Sequence, residues 1–467
     1  MSDQANWMEI NDKHLAATIA WIRLRLECLA QPSEQNAEPE SVKKRGWWFE
    51  HSKLPAQGAK NQNKPVIDSE TIELARQEMI KLENNNPPPA LNLLANHLGL
   101  STFDRYVLAL CAAMELDTRI AGLCAKAQDN PNKPYPTFAL AFALFDDPDW
   151  NALAPNAPLR YWRLLEINQP NAQALTASAL CVDERILNYL KGLNYLDDRL
   201  APLIDPLMSQ QDNGALPPSQ QQAVDHIVGC LKAANGKDRI PFIELLGHDA
   251  ASKQLIAVKV ANSLGLNLHT IDIKTIPSQT GDFETFSRLW QRESILMPLA
   301  LYINVDGAGD TEKTQLKRFL ERSSGVVFLD LLDSKAESLR NRISVEINKP
   351  TPEEQQQLWT EALRDQAKDQ PQRLAEQFSF NQNEIKRLAK TALAAGSQNP
   401  STLSDDLWQS CRIAARAGME QLATRIAAKA EWEQLVLPLE QKPCYGKSPI
   451  RLPSVTVFTT HGAFAKK

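Results

Sequence analysis

The stretch from 240 to 350 constrains the fold most. Apolar runs IPFIELLG (240–247), LNLHTIDI (266–273), PLALYINVDG (298–307) and GVVFLDLL (325–332) alternate with segments of helical length at 252–264, 282–296 and 314–324; a shorter run, SVEINKP (344–350), closes the series. Strands separated by helices of roughly 10 to 15 residues do not pair as hairpins; they make crossovers, and crossovers make parallel neighbours. The predicted core is therefore α/β, a doubly wound parallel sheet. LPPSQQQAVDHIVGCLKAANG (216–236) reads as the capped amphipathic helix that opens this domain. After the sheet, 353–365, 371–394 and 401–430 read as helices only, a C-terminal helical lid.

The half of the chain before it has another rhythm. Residues 12–31 make one helix. From Pro32 to Asp68 the sequence is polar and reads as a loose linker, with Trp47 and Trp48 pinning it to a neighbouring surface. A helix from Ser69 to Asn85 must stop at NNNPPP (84–89). Residues 90–210 predict a mostly helical domain: LNLLANHLGL closes at Gly99, Ser101 caps the next helix with Asp104 in its third position, and APLRYWRLLEIN turns to a strand-like rhythm before ERILNYLKGL. Several short helices followed by a strand pair suggest a winged-helix variant. A DNA-reading version should present a basic recognition helix, but Arg105, Arg119 and Lys126 are spread out among acids, so a protein-contact module is the expectation and nucleic acid is not.

Composition sets the remaining bounds. At 467 residues the chain has room for about three domains, and its net charge of −5 gives no general reason to expect nucleic-acid binding. No apolar run approaches the roughly 18 residues that span a bilayer, and the N-terminus carries no signal-peptide pattern. Seven cysteines without a C-x-x-C pair read as reduced thiols in a cytoplasmic protein, with no zinc site.

The turn after the first strand, GHDAASKQ (247–254), carries the chemistry. A strand, a glycine turn and a lysine entering a helix is the layout of the phosphate-binding pattern G-x-x-x-x-G-K-[ST], whose backbone N–H groups and lysine surround a phosphate chain. Gly247 and Lys253 are in place. Ser252 stands where the second glycine belongs, and Gln254 replaces the magnesium-binding hydroxyl. The second half of such a site is an apolar strand ending in Asp and then Glu; here Asp306 is followed by Gly307 in the slot of the catalytic base, and Asn304, Asp310 and Glu312 are substitutes in principle that nothing in the sequence shows to serve. Where the next strand should carry a residue that senses phosphate it carries Asp330 and Asp333, acids that repel it. An α/β domain that never met nucleotide remains the alternative.

The succession of strand, partial phosphate loop, helix, strand, Asp-ended strand, polar-ended strand and helical lid resembles the AAA+ ATPases. Within them it is similar to a bacterial group with an N-terminal winged-helix region before a degenerate and then an intact ATPase module. LGLSTFDRYVLALCAAMELDTRIAGL (98–123), NAPLRYWRLLEI (156–167), VDERILNYLKG (182–192), ELLGHDAASKQLIAVKVANSLGL (244–266) and INKPTPEEQQQLWTEAL (347–363) carry the resemblance. It implies a P-loop NTPase fold over 216–350 with a lid at 351–432, and ATP with Mg²⁺ as the cofactors. Gly247, Ser252, Lys253 and Gln254 fall in the Walker A slots, and Asp306 in the Walker B slot as the metal ligand. Relatives occur with extracellular contractile injection systems, which implies protein partners and a homo-oligomer in assembly or remodelling. The substitutions at 252, 254 and 307 imply that this module does not hydrolyse ATP. Residues 443–467 contain no acidic residue, against 56 elsewhere. Shifting permitted codons by two nucleotides turns them into an amphipathic, helix-like string, so an out-of-frame tail is expected there.

Overall fold

The computed structural model describes residues 2–31, 68–170, 172–207, 214–234, 240–333, 342–364, 369–396 and 403–416. They form two compact units: residues 1–203 with 277–298 and 319–324, and residues 204–276, 299–318 and 325–467. The expected linker with Trp47 and Trp48, the end of the last lid helix and the tail at 443–467 lie outside the described residues.

The first unit contains α1 (Ser2–Leu29), α2 (Ser69–Glu83), α3 (Ala90–Leu98), α4 (Thr102–Leu116), α5 (Arg119–Ala127), α6 (Phe138–Leu144), α7 (Pro158–Tyr161), β1 (Leu165–Asn168), β2 (Ala179–Val182) and α8 (Glu184–Leu190). Local signals decide its boundaries. Gly99 ends α3 in the left-handed conformation at φ 69°. Ser101 and Asp104 form a reciprocal capping box at the start of α4, at 3.0 and 3.1 Å. β1 and β2 pair antiparallel from Leu165↔Val182 to Asn168↔Ala179. Trp21, Ile22 and Leu26 of α1 and Met79 of α2 are buried in the same core as Leu94, Val107, Phe138 and Ile186.

The second unit is built on β3 (Asp205–Pro206), α9 (Pro218–Ala234), β4 (Phe242–Leu246), α10 (Ala250–Ser263) and β5 (Asn267–Asp272). The chain then makes α11 (Thr280–Leu296), which folds with the first unit, and returns for β6 (Leu299–Asn304), α12 (Asp310–Arg322), whose last residues group with the first unit, β7 (Val326–Leu331) and β8 (Arg342–Glu346). The sheet has six strands in the order β3-β5-β6-β7-β4-β8. Five of them run parallel, as the crossovers require. The expectation of a wholly parallel sheet needs one correction: β3 pairs antiparallel with β5, Asp205 opposite Thr270 and Pro206 opposite His269. Two residues leave no periodic signal, and a proline without an N–H is confined to such an edge. The chain leaves the adjacent strands β4 and β7 in opposite directions along the sheet. The crevice at their carboxyl ends is thus a topological switch point, the place where open α/β sheets hold ligands.

The lid comprises α13 (Pro352–Leu363), α14 (Gln370–Gln377), α15 (Gln382–Gly396) and α16 (Leu403–Arg416) around Trp359, Leu374, Phe380, Ile385 and Leu407. The single helix expected over 371–394 is two helices. Asn381 caps a new start, its Oδ1 accepting from the Glu384 N–H at 2.9 Å while the Glu384 carboxylate accepts from the Asn381 N–H at 3.1 Å. Phe380 inserts into the lid core between the two helices, a packing demand that periodicity alone does not reveal. Among the described residues, no helix is long and apolar enough to cross a membrane.

Candidate functional site

The strand β4 delivers Gly247 into a narrow space. Its φ is 124°, and a Cβ built there would lie 2.4 Å from the Ile347 carbonyl oxygen, so only glycine fits. The Gly247 N–H donates to the Leu331 carbonyl at 3.1 Å, and the Ile347 N–H donates to Leu246 at 2.8 Å. The turn is thereby fixed to the ends of the strands on both sides. Helix α10 begins at Ala250, two residues earlier than the apolar pattern suggests, which leaves only 247–249 as loop. Asp249 caps the helix, its Oδ2 accepting from the Ser252 N–H at 3.3 Å. A carboxylate of the chain itself thus sits at the helix N-terminus, where an anion is favoured.

Lys253 is the fourth residue of α10, and its side chain is buried. The ammonium donates to the Gly247 carbonyl at 2.6 Å and the Leu331 carbonyl at 3.2 Å, and pairs with Oδ1 of Asp330. An ammonium has three N–H donors. All three are used inside the protein. The Tyr302 hydroxyl donates to the other oxygen of Asp330 at 2.6 Å, and burial together with that carboxylate pushes the phenol far above its ordinary range. The acid foreseen as an electrostatic obstacle to phosphate is therefore the partner of the lysine. Tyr302 escaped sequence reasoning, although strand alternation and the register Asn304↔Asp330, Tyr302↔Phe328 put it on the same face as Asp330.

A cavity of about 860 Å³ at the carboxyl ends of β4, β6 and β7 collects Lys253, Gln254, Asn304, Asp306, Asp310, Asp330 and Asp333. Ser252 is buried away from it, its hydroxyl accepting from Gln220 Nε2 at 3.0 Å. Asp306 is exposed in the turn after β6, its own N–H donating to Asn304 Oδ1 at 3.1 Å. Gly307, where the sequence pattern leads one to expect a catalytic base, has φ 66°, a conformation that a glutamate adopts only with strain. Among the described residues no group of three or more His, Cys, Asp or Glu side chains is placed to hold a metal ion. In this arrangement the donors of Lys253 are taken up within the protein, the start of α10 carries its own carboxylate cap, and the position after Asp306 has no side chain that could act as a base.

Direct side-chain bonds link the turn and α9 to the lid. Asn381 Nδ2 donates to Asp249 Oδ1 at 3.1 Å. Glu354 of α13 accepts from both the N–H and the hydroxyl of Ser219, each at 2.7 Å. Burial opposes ionisation of Glu354, but its hydrogen bonds from Ser219 and Thr351 prevail and hold the carboxyl below the usual range. Gln382 Nε2 donates to the Ala215 carbonyl at 2.9 Å.

In the first unit, two of the three basic residues considered for DNA are paired with acids: Arg105 with Glu83 at 3.2 Å and Arg119 with Asp117 at 2.7 Å. A stronger cluster surrounds α11. Arg292 is fully buried and contacts Asp183 at 3.4 Å, Glu293 at 3.1 Å, and Asp197. Arg185 pairs with Glu293 at 3.0 Å.

Comparison with known families agrees with this layout at both ends. Residues 11–204 match the family model of a variant winged helix domain. Residues 351–417 match that of the contractile injection system ATPase helical domain. No curated protein matches the chain.

Proposed function

We propose that this chain is a contractile-injection-system ATPase-related protein whose α/β module does not turn over ATP and works as a fixed scaffold among protein partners. One observation carries the reading: the buried ammonium of Lys253 spends its three donors on Gly247, Leu331 and Asp330. Catalysis of phosphoryl transfer needs that lysine on the phosphates and a residue that orients water. The first is engaged elsewhere, and Gly307 stands in the slot of the second. The bonds Asp249–Asn381 and Ser219–Glu354 support the scaffold role, since they fasten the turn and α9 directly to the lid. The family match over 351–417 supports a place in the assembly of a contractile injection system, with other proteins or further copies of the chain as partners.

The test is turnover. Purified protein with ATP and Mg²⁺ should release phosphate at the background rate, and Lys253→Ala should not change it. Steady turnover that disappears in Lys253→Ala would overturn the reading.

A further inference from the structure

We propose that Asp330 is a built-in counter-ion standing where a phosphate group would meet Lys253, so that this carboxylate masks the lysine from polyphosphate. The inference rests on the reading above, in which the native lysine has no donor to spare. A buried ammonium is tolerated only with an anionic partner. The carbonyls of Gly247 and Leu331 orient the Lys253 amine at 2.6 and 3.2 Å but carry no net charge, so neutralisation falls to Asp330. Asp330 sits near the end of β7, beside the switch point of the sheet. Both members of the pair line the cavity of about 860 Å³, whose walls carry His248, Gln254, Thr314 and Lys317 together with the carboxylates of Asp306, Asp310 and Asp333. That volume lies within the range of small-molecule sites.

Removing the carboxylate frees two donors at once: one N–H of Lys253 and the Tyr302 hydroxyl, which Asp330 now receives at 2.6 Å. The lysine would then face the cavity from a fixed position, because it remains tied to two main-chain carbonyls, while Tyr302 itself is fully buried. The ligand chemistry the freed ammonium suits is a chain of phosphates, anionic and rich in acceptors. Asp330 is thus an autoinhibitory contact, and the site is masked rather than dismantled.

The experiment compares the full chain with Asp330→Ser, Asp330→Ala and the double variant Lys253→Met/Asp330→Ser, by thermal unfolding and calorimetric titration. The probes are sodium tripolyphosphate, ATP, and sodium sulfate at matched ionic strength. The full chain should show no shift with any probe. Asp330→Ser should gain roughly 5 °C with saturating tripolyphosphate and none with sulfate, and the gain should vanish in the double variant. An equal response to ATP assigns recognition to the phosphates alone; a larger one adds a contact to the nucleoside. If the single variants unfold, tripolyphosphate should refold them, since a ligand of the folded state stabilises it by mass action. Folded single variants that ignore tripolyphosphate, or unfolded ones that it does not rescue, would overturn the proposal and leave the scaffold reading standing. A Lys253-dependent response of the full chain to ATP would instead overturn the scaffold reading.

Discussion

In the first unit Arg292 is shared among Asp183, Asp197 and Glu293, and Arg185 and Arg199 take up the remaining acid oxygens. In the second unit Lys253 has a single acid, Asp330, and completes its bonds on carbonyls. Both clusters bury charge that must be neutralised. They differ in redundancy and in surroundings. Every acid around Arg292 has a second arginine, so the cluster is a fastening that binds α11 to α8 and the loop at 194–199. The Lys253 pair depends on one carboxylate and faces a cavity, so a single side chain decides what the ammonium can meet.

The largest effect that could break this comparison is expected at Arg292. Arg292→Met leaves Asp183, Asp197 and Glu293 short of positive charge in a buried place and should cost about 3–5 kcal/mol. Denaturant unfolding followed by a probe in the first unit measures it. A loss under about 1 kcal/mol would show that Arg185 and Arg199 suffice. Next is Gly247→Ala, where the new methyl group meets the Ile347 carbonyl at 2.4 Å in a left-handed backbone. Strain of this kind costs about 1–3 kcal/mol, and the melting temperature of the second unit should fall accordingly. An unchanged melting temperature would mean that the turn has room to open.

These sites also show what was legible in the sequence. Caps and turns were, because they are local: Gly99 ends α3 and Ser101 with Asp104 begins α4 where the residues placed them. Gly247, Lys253, Asp306 and Asp330 could each be singled out from strand ends. What the lysine touches could not be read, because Lys253 and Asp330 are far apart in sequence and meet only through the parallel pairing of β4 with β7. The edge strand β3 and the split between α14 and α15 were also missed. Pro206 pairs with His269, distant in sequence, and Phe380 packs into the lid core, whereas the box of Asn381 with Glu384 is a local signal that helical periodicity overrode.

A smaller effect is expected at the lid. Glu354→Gln loses charge-assisted bonds to Ser219 and Thr351 and should cost about 1–2 kcal/mol at neutral pH. The carboxyl has a folded pKa below its ordinary 4.5, so its contribution is present above that value and is lost as pH falls through the lower folded pKa. The gap between the two proteins should therefore narrow below about pH 4; a gap constant from pH 7 to pH 3 would assign the loss to packing. The smallest effect belongs to Gly307→Glu. At φ 66° the substitution should cost about 1 kcal/mol, and it should restore no ATP turnover, since Lys253 stays engaged. Turnover in this variant would locate the defect at 307 alone.

The central claim is that Lys253 and Asp330 are each other's partner, and a double-mutant cycle on stability tests it most directly. Lys253→Met and Asp330→Leu each leave a buried charge unpaired and should each cost about 3–5 kcal/mol. The double variant removes both charges and should lose far less than the sum, with a coupling energy of about 2 kcal/mol or more. Additivity of the two losses within about 0.5 kcal/mol would contradict the account, because the lysine would then be answering to something other than Asp330.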